Sequence, residues 1–196
     1  MTIGYSIEGL QRKGWRYRLP RLSSAALDLL AIADMSDDPH LLIVWHSRTG
    51  GAEAMARAAK DGAGDRARLL YCDDAGPDDL LRAAAYLFVC PENLATMSGA
   101  MKEFFDRSYY PVLGRIEGRA FATAIAAGSD GEGATRQIDR IAQGWRLKRV
   151  ADPLIVNFAA QTPEAILAAK TLGHPDATAC CELGSALAEG MVLGIF

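Results

Sequence analysis

Five consecutive residues, Ser47-Arg48-Thr49-Gly50-Gly51, bring two hydroxyls, one guanidinium and two residues without side chains into one short stretch. That set suits an anion. Hydroxyls and backbone N–H groups donate to it, the glycines let the backbone come close, and arginine supplies charge. Immediately before lies an apolar run, Leu41 to Trp45, which reads as a strand buried on both faces. Immediately after, Ala52, Met55, Ala56 and Ala59 recur at helical spacing, with Glu53, Arg57, Lys60 and Asp61 on the opposite face. Strand, loop and helix in that order aim the unpaired N–H groups and the positive end of the helix dipole into the loop. The chemistry predicted here is phosphate binding.

Two further loops of small residues follow apolar runs. Tyr86 to Cys90 ends at Pro91, and the loop Glu92 to Thr96 leads into a helix with Met97, Met101, Phe104 and Phe105 inside and Lys102, Glu103, Asp106 and Arg107 outside. Phe121 to Ala127 is closed by Gly128-Ser129-Asp130-Gly131-Glu132-Gly133, and Ala134, Ile138, Ile141, Ala142 and Trp145 share one face of the helix after it. The spacing in that glycine run is not the dinucleotide pattern, and it follows a late strand. His46 beside Ser47 does not make a hydrolase, because Gly-x-Ser-x-Gly is absent and neighbours at a strand end point in opposite directions. The Gly-Lys-Ser/Thr of a nucleotide triphosphatase is missing too. Tyr109, Tyr110 and Pro111 either border a ligand entrance or pack behind their helix. The histidines and the four cysteines show no zinc-type spacing. Cys72, Cys90, Cys180 and Cys181 read as reduced thiols of a cytoplasmic protein, the first two closing apolar runs.

The elements that must position these loops alternate along the chain. Ala67 to Cys72 is a second strand candidate, Pro77 opens a helix, Leu154 to Ala159 is a fifth strand, Thr162 caps a short helix to about Lys170, and Pro175 opens the last helix. Five strands alternating with helices predict a doubly wound α/β sheet, in which ligands sit beyond the carboxyl ends of the strands at the switch point. All three loops then fall at one edge. At 196 residues the chain is read as one such domain, over 39–196, preceded by a segment of different composition. The first 34 residues hold five basic and three acidic side chains, which leaves 16 basic against 21 acidic in the rest. Residues 1–38 are therefore expected to be a disordered or spurious extension, with a short helix over 24–33 or a true start at Met35. A mildly acidic body argues against nucleic acid as partner. No apolar run approaches the ~18 residues of a membrane span.

From these residues the chain resembles the flavodoxin-like superfamily, over roughly 40–195. Ser47 to Ala56 resembles the flavodoxin phosphate loop, Ser/Thr-x-Thr-Gly-x-Thr before a helix. Pro91-Glu92, followed by Thr96-Met97-Ser98-Gly99-Ala100-Met101-Lys102, is similar to the loop of the NAD(P)H-dependent FMN and quinone reductase branch. The resemblance implies a five-stranded parallel sheet of order 2-1-3-4-5 with helices on both faces, and FMN as cofactor. It implies that Ser47, Arg48, Thr49, Gly50, Gly51 and Ala52 hold the phosphate. Pro91, Glu92, Asn93, Leu94, Ala95, Thr96 and Met97 would line the ring, and Gly128, Ser129, Asp130 and Gly131 would close its other side. No side-chain acid or base is then needed, because the cofactor carries the hydride. Two departures stand out: Ala52 replaces a threonine, a lost hydrogen bond of about 1.5–3 kcal/mol, and Leu94-Ala95 replaces Asn-Gly. No aromatic residue in 91–96 stacks on the ring, which favours an enzyme open to NAD(P)H as co-substrate and a small-molecule quinone or flavin as acceptor. A homodimer or homotetramer, as in many relatives, would let a neighbouring chain cover the ring. An electron-carrier flavodoxin is the first alternative. A degenerate fold serving as a non-catalytic interaction module is the second.

Overall fold

Each of the five apolar runs read as strands forms one, because a sheet covered on both faces is where such runs lose most water-exposed surface. A computed structural model of the chain describes residues 39–196. The expected extension over 1–38, its short helix and a start at Met35 lie outside the described residues. In chain order the elements are β1 (Leu41–Trp45), α1 (Gly51–Ala63), β2 (Ala67–Tyr71), α2 (Pro77–Arg82), β3 (Ala85–Asn93), β4 (Thr96–Met97), α3 (Gly99–Val112), β5 (Ala120–Ala127), α4 (Glu132–Gly144), β6 (Lys148–Arg149), β7 (Leu154–Asn157), α5 (Pro163–Leu167) and α6 (His174–Val192). A single 3-10 turn, Gly64–Arg66, joins α1 to β2.

Strands β2, β1, β3 and β5 lie side by side, all parallel. The fifth lane is shared: β6 pairs with Ala120 and Phe121 at the start of β5, and β7 pairs with Ala124 to Ala127 at its end. The expected order 2-1-3-4-5 is therefore present, with the last strand in two pieces. The fifth strand stops at Asn157 rather than Ala159, and the short helix stops at Leu167 rather than near Lys170.

Side chains alternate across this sheet and split the core in two. Leu42, Val44, Tyr86, Phe88, Phe121 and Ile125 face α2, α3 and α4. Leu41, Ile43, Leu87, Val89 and the alanines at 120, 122, 124 and 126 face α1 and α6. The period-2 rule is hidden in sequence because both faces are apolar. The larger residues of β5 meet an aromatic layer, with Phe105 at 4.9 Å from Phe88, 5.3 Å from Phe104 and 5.4 Å from Trp145 between ring centroids. Each such side chain contributes about 1.5–3 kcal/mol by leaving water. The alanine face lets α1 and α6 lie close, as their own small residues require. Among the described residues, no helix is long and apolar enough to cross a membrane.

Candidate functional site

The first loop leaves β1 at His46, whose N–H donates to Val89 O at 3.0 Å and ties the loop to β3. Gly50 then adopts φ +88° as the N-cap of α1, a left-handed conformation costing an L-residue about 1–2 kcal/mol. Its N–H donates to Ser47 Oγ at 3.0 Å, which folds the loop back on itself. Among the described residues, no side chain caps α1. The first-turn N–H groups of Gly51, Ala52 and Glu53 have no intrahelical acceptor and point out of the helix end toward this loop. Arg48 is exposed beside them. This cradle fits a phosphate. Ala52 is buried at 1 % exposure within the apolar layer beneath the loop, so a methyl group stands in the core where the resemblance expects a hydroxyl.

Sequence reasoning missed the segment that borders this cradle. After β7 the chain crosses back, and Lys170 N–H donates to Thr49 O at 2.7 Å. The ring of Phe158 lies against Gly51, where a Cβ would come within 2.9 Å of it. Lys170 Nζ donates to the carbonyls of Ala165 at 2.6 Å and Ala168 at 2.6 Å, closing the end of α5. His46 is buried, and its Nδ1 has no hydrogen-bond partner among the described residues. Burial and the nearby Arg48 guanidinium hold its pKa below 6.5, against a smaller opposing pull from Asp73. Both effects favour the neutral imidazole.

The second loop corrects the expectation of a strand ending at Pro91 and a loop from Glu92 to Thr96. Strand β3 runs on through Pro91, which pairs with Ala126, and turns into a hairpin with β4, Glu92 opposite Met97 and Asn93 opposite Thr96. Leu94 at φ +52° and Ala95 at φ +59° form its two-residue tip, the backbone of a type I′ turn that Asn-Gly normally occupies. Leu94 is 99 % exposed there. Glu92 does not present its carboxylate to a ligand: Oε2 accepts from Gly131 N–H at 3.0 Å and Oε1 from Ala134 N–H at 3.1 Å. Gln137 of α4, invisible to sequence reasoning, accepts from Met97 N–H at 3.0 Å.

The third loop lies directly beyond β5. Ser129 and Asp130 are exposed, Gly128 is half-buried and Gly131, at φ +78°, is buried as the N-cap of α4. Asn157 Nδ2 donates to Ser129 O from the end of β7. Because β1, β3 and β5 are parallel and in register, all three loops emerge at the same edge of the sheet. Tyr109, Tyr110 and Pro111 do not border it. They close the last turns of α3 at the opposite edge, where the carbonyl of Tyr109 accepts from Trp145 Nε1 at 3.1 Å. Arg107, expected on the outer face, instead turns in to bond the carbonyls of Cys72 and Ala75, the latter at 2.9 Å.

A parallel sheet of order 2-1-3-4-5 with helices on both faces puts the chain in the doubly wound α/β class, in which ligands sit beyond the carboxyl ends of the strands. No family model matches the chain. It is 28 % identical over 162 residues to a protein named Flavodoxin from Aquifex aeolicus, covering 78 % of this chain and 87 % of that one. An archaeal flavodoxin structure superposes with a TM-score of 0.63 at 20 % identity, over 78 % of this chain and 99 % of that one. A WrbA-like flavodoxin from Agrobacterium tumefaciens superposes with a TM-score of 0.61 at 19 % identity, over 80 % and 99 %. The chain has the flavodoxin-like fold.

Proposed function

We propose that this protein is an FMN-binding flavoprotein that passes reducing equivalents. The observation that carries the reading is the left-handed Gly50 at the head of an uncapped α1, folded onto Ser47 Oγ. Ser47, Arg48, Thr49, Gly50, Gly51 and Ala52 would hold the phosphate, the last through its N–H alone. The hairpin Pro91 to Met97 and the loop Gly128 to Gly131 would flank the ring. Bound FMN supplies the hydride and electron chemistry, while the chain binds the tail and orients the ring.

The finer reading is an NAD(P)H-dependent oxidoreductase with a quinone or flavin as acceptor. It is supported by the hairpin, whose exposed tip carries no aromatic residue, and by the WrbA-like neighbour. The electron-carrier reading is favoured by the relative named Flavodoxin. A homodimer or homotetramer would let a second chain cover the open ring, and sedimentation analysis reads the number of chains. Titration of the full chain with FMN and with riboflavin tests the core of the proposal. FMN is expected to bind more tightly, and Ser47→Ala to weaken FMN by about tenfold while sparing riboflavin. A chain with no affinity for either flavin would leave the fold as an interaction module. Anaerobic bleaching of bound FMN by NADH or NADPH selects the enzyme; slow bleaching by both, with rapid reduction by a partner reductase, selects the carrier.

A further inference from the structure

The hairpin and the third loop are joined by more contacts than a surface turn needs. The N–H groups of Gly131 and Ala134 belong to the head of α4, where no intrahelical acceptor exists, and Glu92 satisfies both with one carboxylate at 3.0 and 3.1 Å. The negative charge also lies against the positive end of the helix dipole. Gln137, one turn further along α4, holds the returning strand through Met97 N–H at 3.0 Å. At the tip, Gly133 leaves no room for a side chain, since a Cβ there would come within 2.1 Å of the Ala95 carbonyl oxygen. Both strands of the hairpin and its tip are thus pinned to one helix end.

We propose that Glu92 is a positioning residue for the flavin ring: by bridging the hairpin to the head of α4, it sets the spacing of the two segments that flank the ring. The proposal rests on the flavin-binding reading above. The amino end of α4 is thereby filled by a group of the chain itself.

The test is a titration of full-length wild type and Glu92→Gln with FMN and with riboflavin, read by quenching of flavin fluorescence and by visible circular dichroism of the bound flavin. Glutamine keeps one acceptor and sets an amide NH₂ against the other donor. Both flavins are expected to bind about tenfold more weakly, by the same factor, because the loss lies at the ring and not at the tail. The dichroism of the bound ring should move toward that of free flavin. Unchanged affinities and dichroism, with only a lower melting temperature of the flavin-free chain, would make Glu92 a helix cap and overturn the proposal. A loss confined to FMN would overturn it too, by moving the effect to the phosphate. If wild type takes up neither flavin, the underlying reading fails and the proposal with it. Should Glu92→Gln not fold, Gln137→Leu carries the same test, with an expected loss of about threefold for both flavins.

Discussion

Replacing Leu94-Ala95 by Asn-Gly should make the protein more stable. Leu94 and Ala95 sit at φ +52° and +59°, where an L-residue costs about 1–2 kcal/mol. Leu94 is 99 % exposed, so its removal gives up no packing. Glycine at 95 relieves the strain there but brings back about 0.5–1 kcal/mol of freedom in the unfolded chain. Asparagine at 94 keeps a Cβ, yet its short polar side chain is tolerated in this region and it leads the type I′ pair. The two changes together should contribute about 1–2 kcal/mol. At about 2–4 °C per kcal/mol for a domain of this size, the melting temperature should rise by about 2–8 °C. Thermal melts and urea titrations of wild type and the double variant, both without flavin, measure it. An unchanged or lower melting temperature would refute the reasoning, because contacts at the tip would then outweigh the backbone cost.

Three more outcomes are expected. Since the folded-state pKa of His46 lies below 6.5, the unfolded chain binds the extra proton first as pH falls; the contribution is complete above pH 6.5 and is lost below it. His46→Asn should flatten the acid side of the stability profile, and an identical profile would exclude the group. Burial pushes Cys72 and Cys90 up to about 12 and Cys180 to about 11, whereas Cys181 is half-exposed. Native labelling with a thiol reagent should therefore modify Cys181 alone, and reaction of a second thiol in the folded protein would contradict that. Arg119 donates to the carbonyls of Leu80, Leu81 and Ala83 and to Tyr86 Oη, at 2.6–3.1 Å, closing the end of α2. Arg119→Met should cost about 2–3 kcal/mol in urea unfolding, with lysine restoring part of it; a loss below half a kilocalorie would mean that water serves those carbonyls as well.

The amino-acid order alone determined the alternation of strands and helices, the doubly wound class and the three edge loops. It could do so because each of those features is written in contiguous residues: an apolar run, a helical stripe, a glycine at a turn. Leu94-Ala95 marks the limit of that reading. The pair looked like a departure within an open loop, and only the fold turned it into the strained tip of a hairpin, since strand pairing past Pro91 depends on partners at Ala126, Met97 and Thr96. Tertiary structure also decided what Glu92, Gln137, Phe158 and Lys170 do. Their partners lie 39 and 42 residues away for Glu92 and 40 for Gln137, and no local period links a carboxylate to a helix end at that distance. Arg107 failed for the same reason: its place on a helical wheel says solvent, whereas the carbonyls left open after β2 draw it inward. Local sequence sets which element forms, and the packing of elements across the sheet edge sets which side chains find unpaired backbone groups.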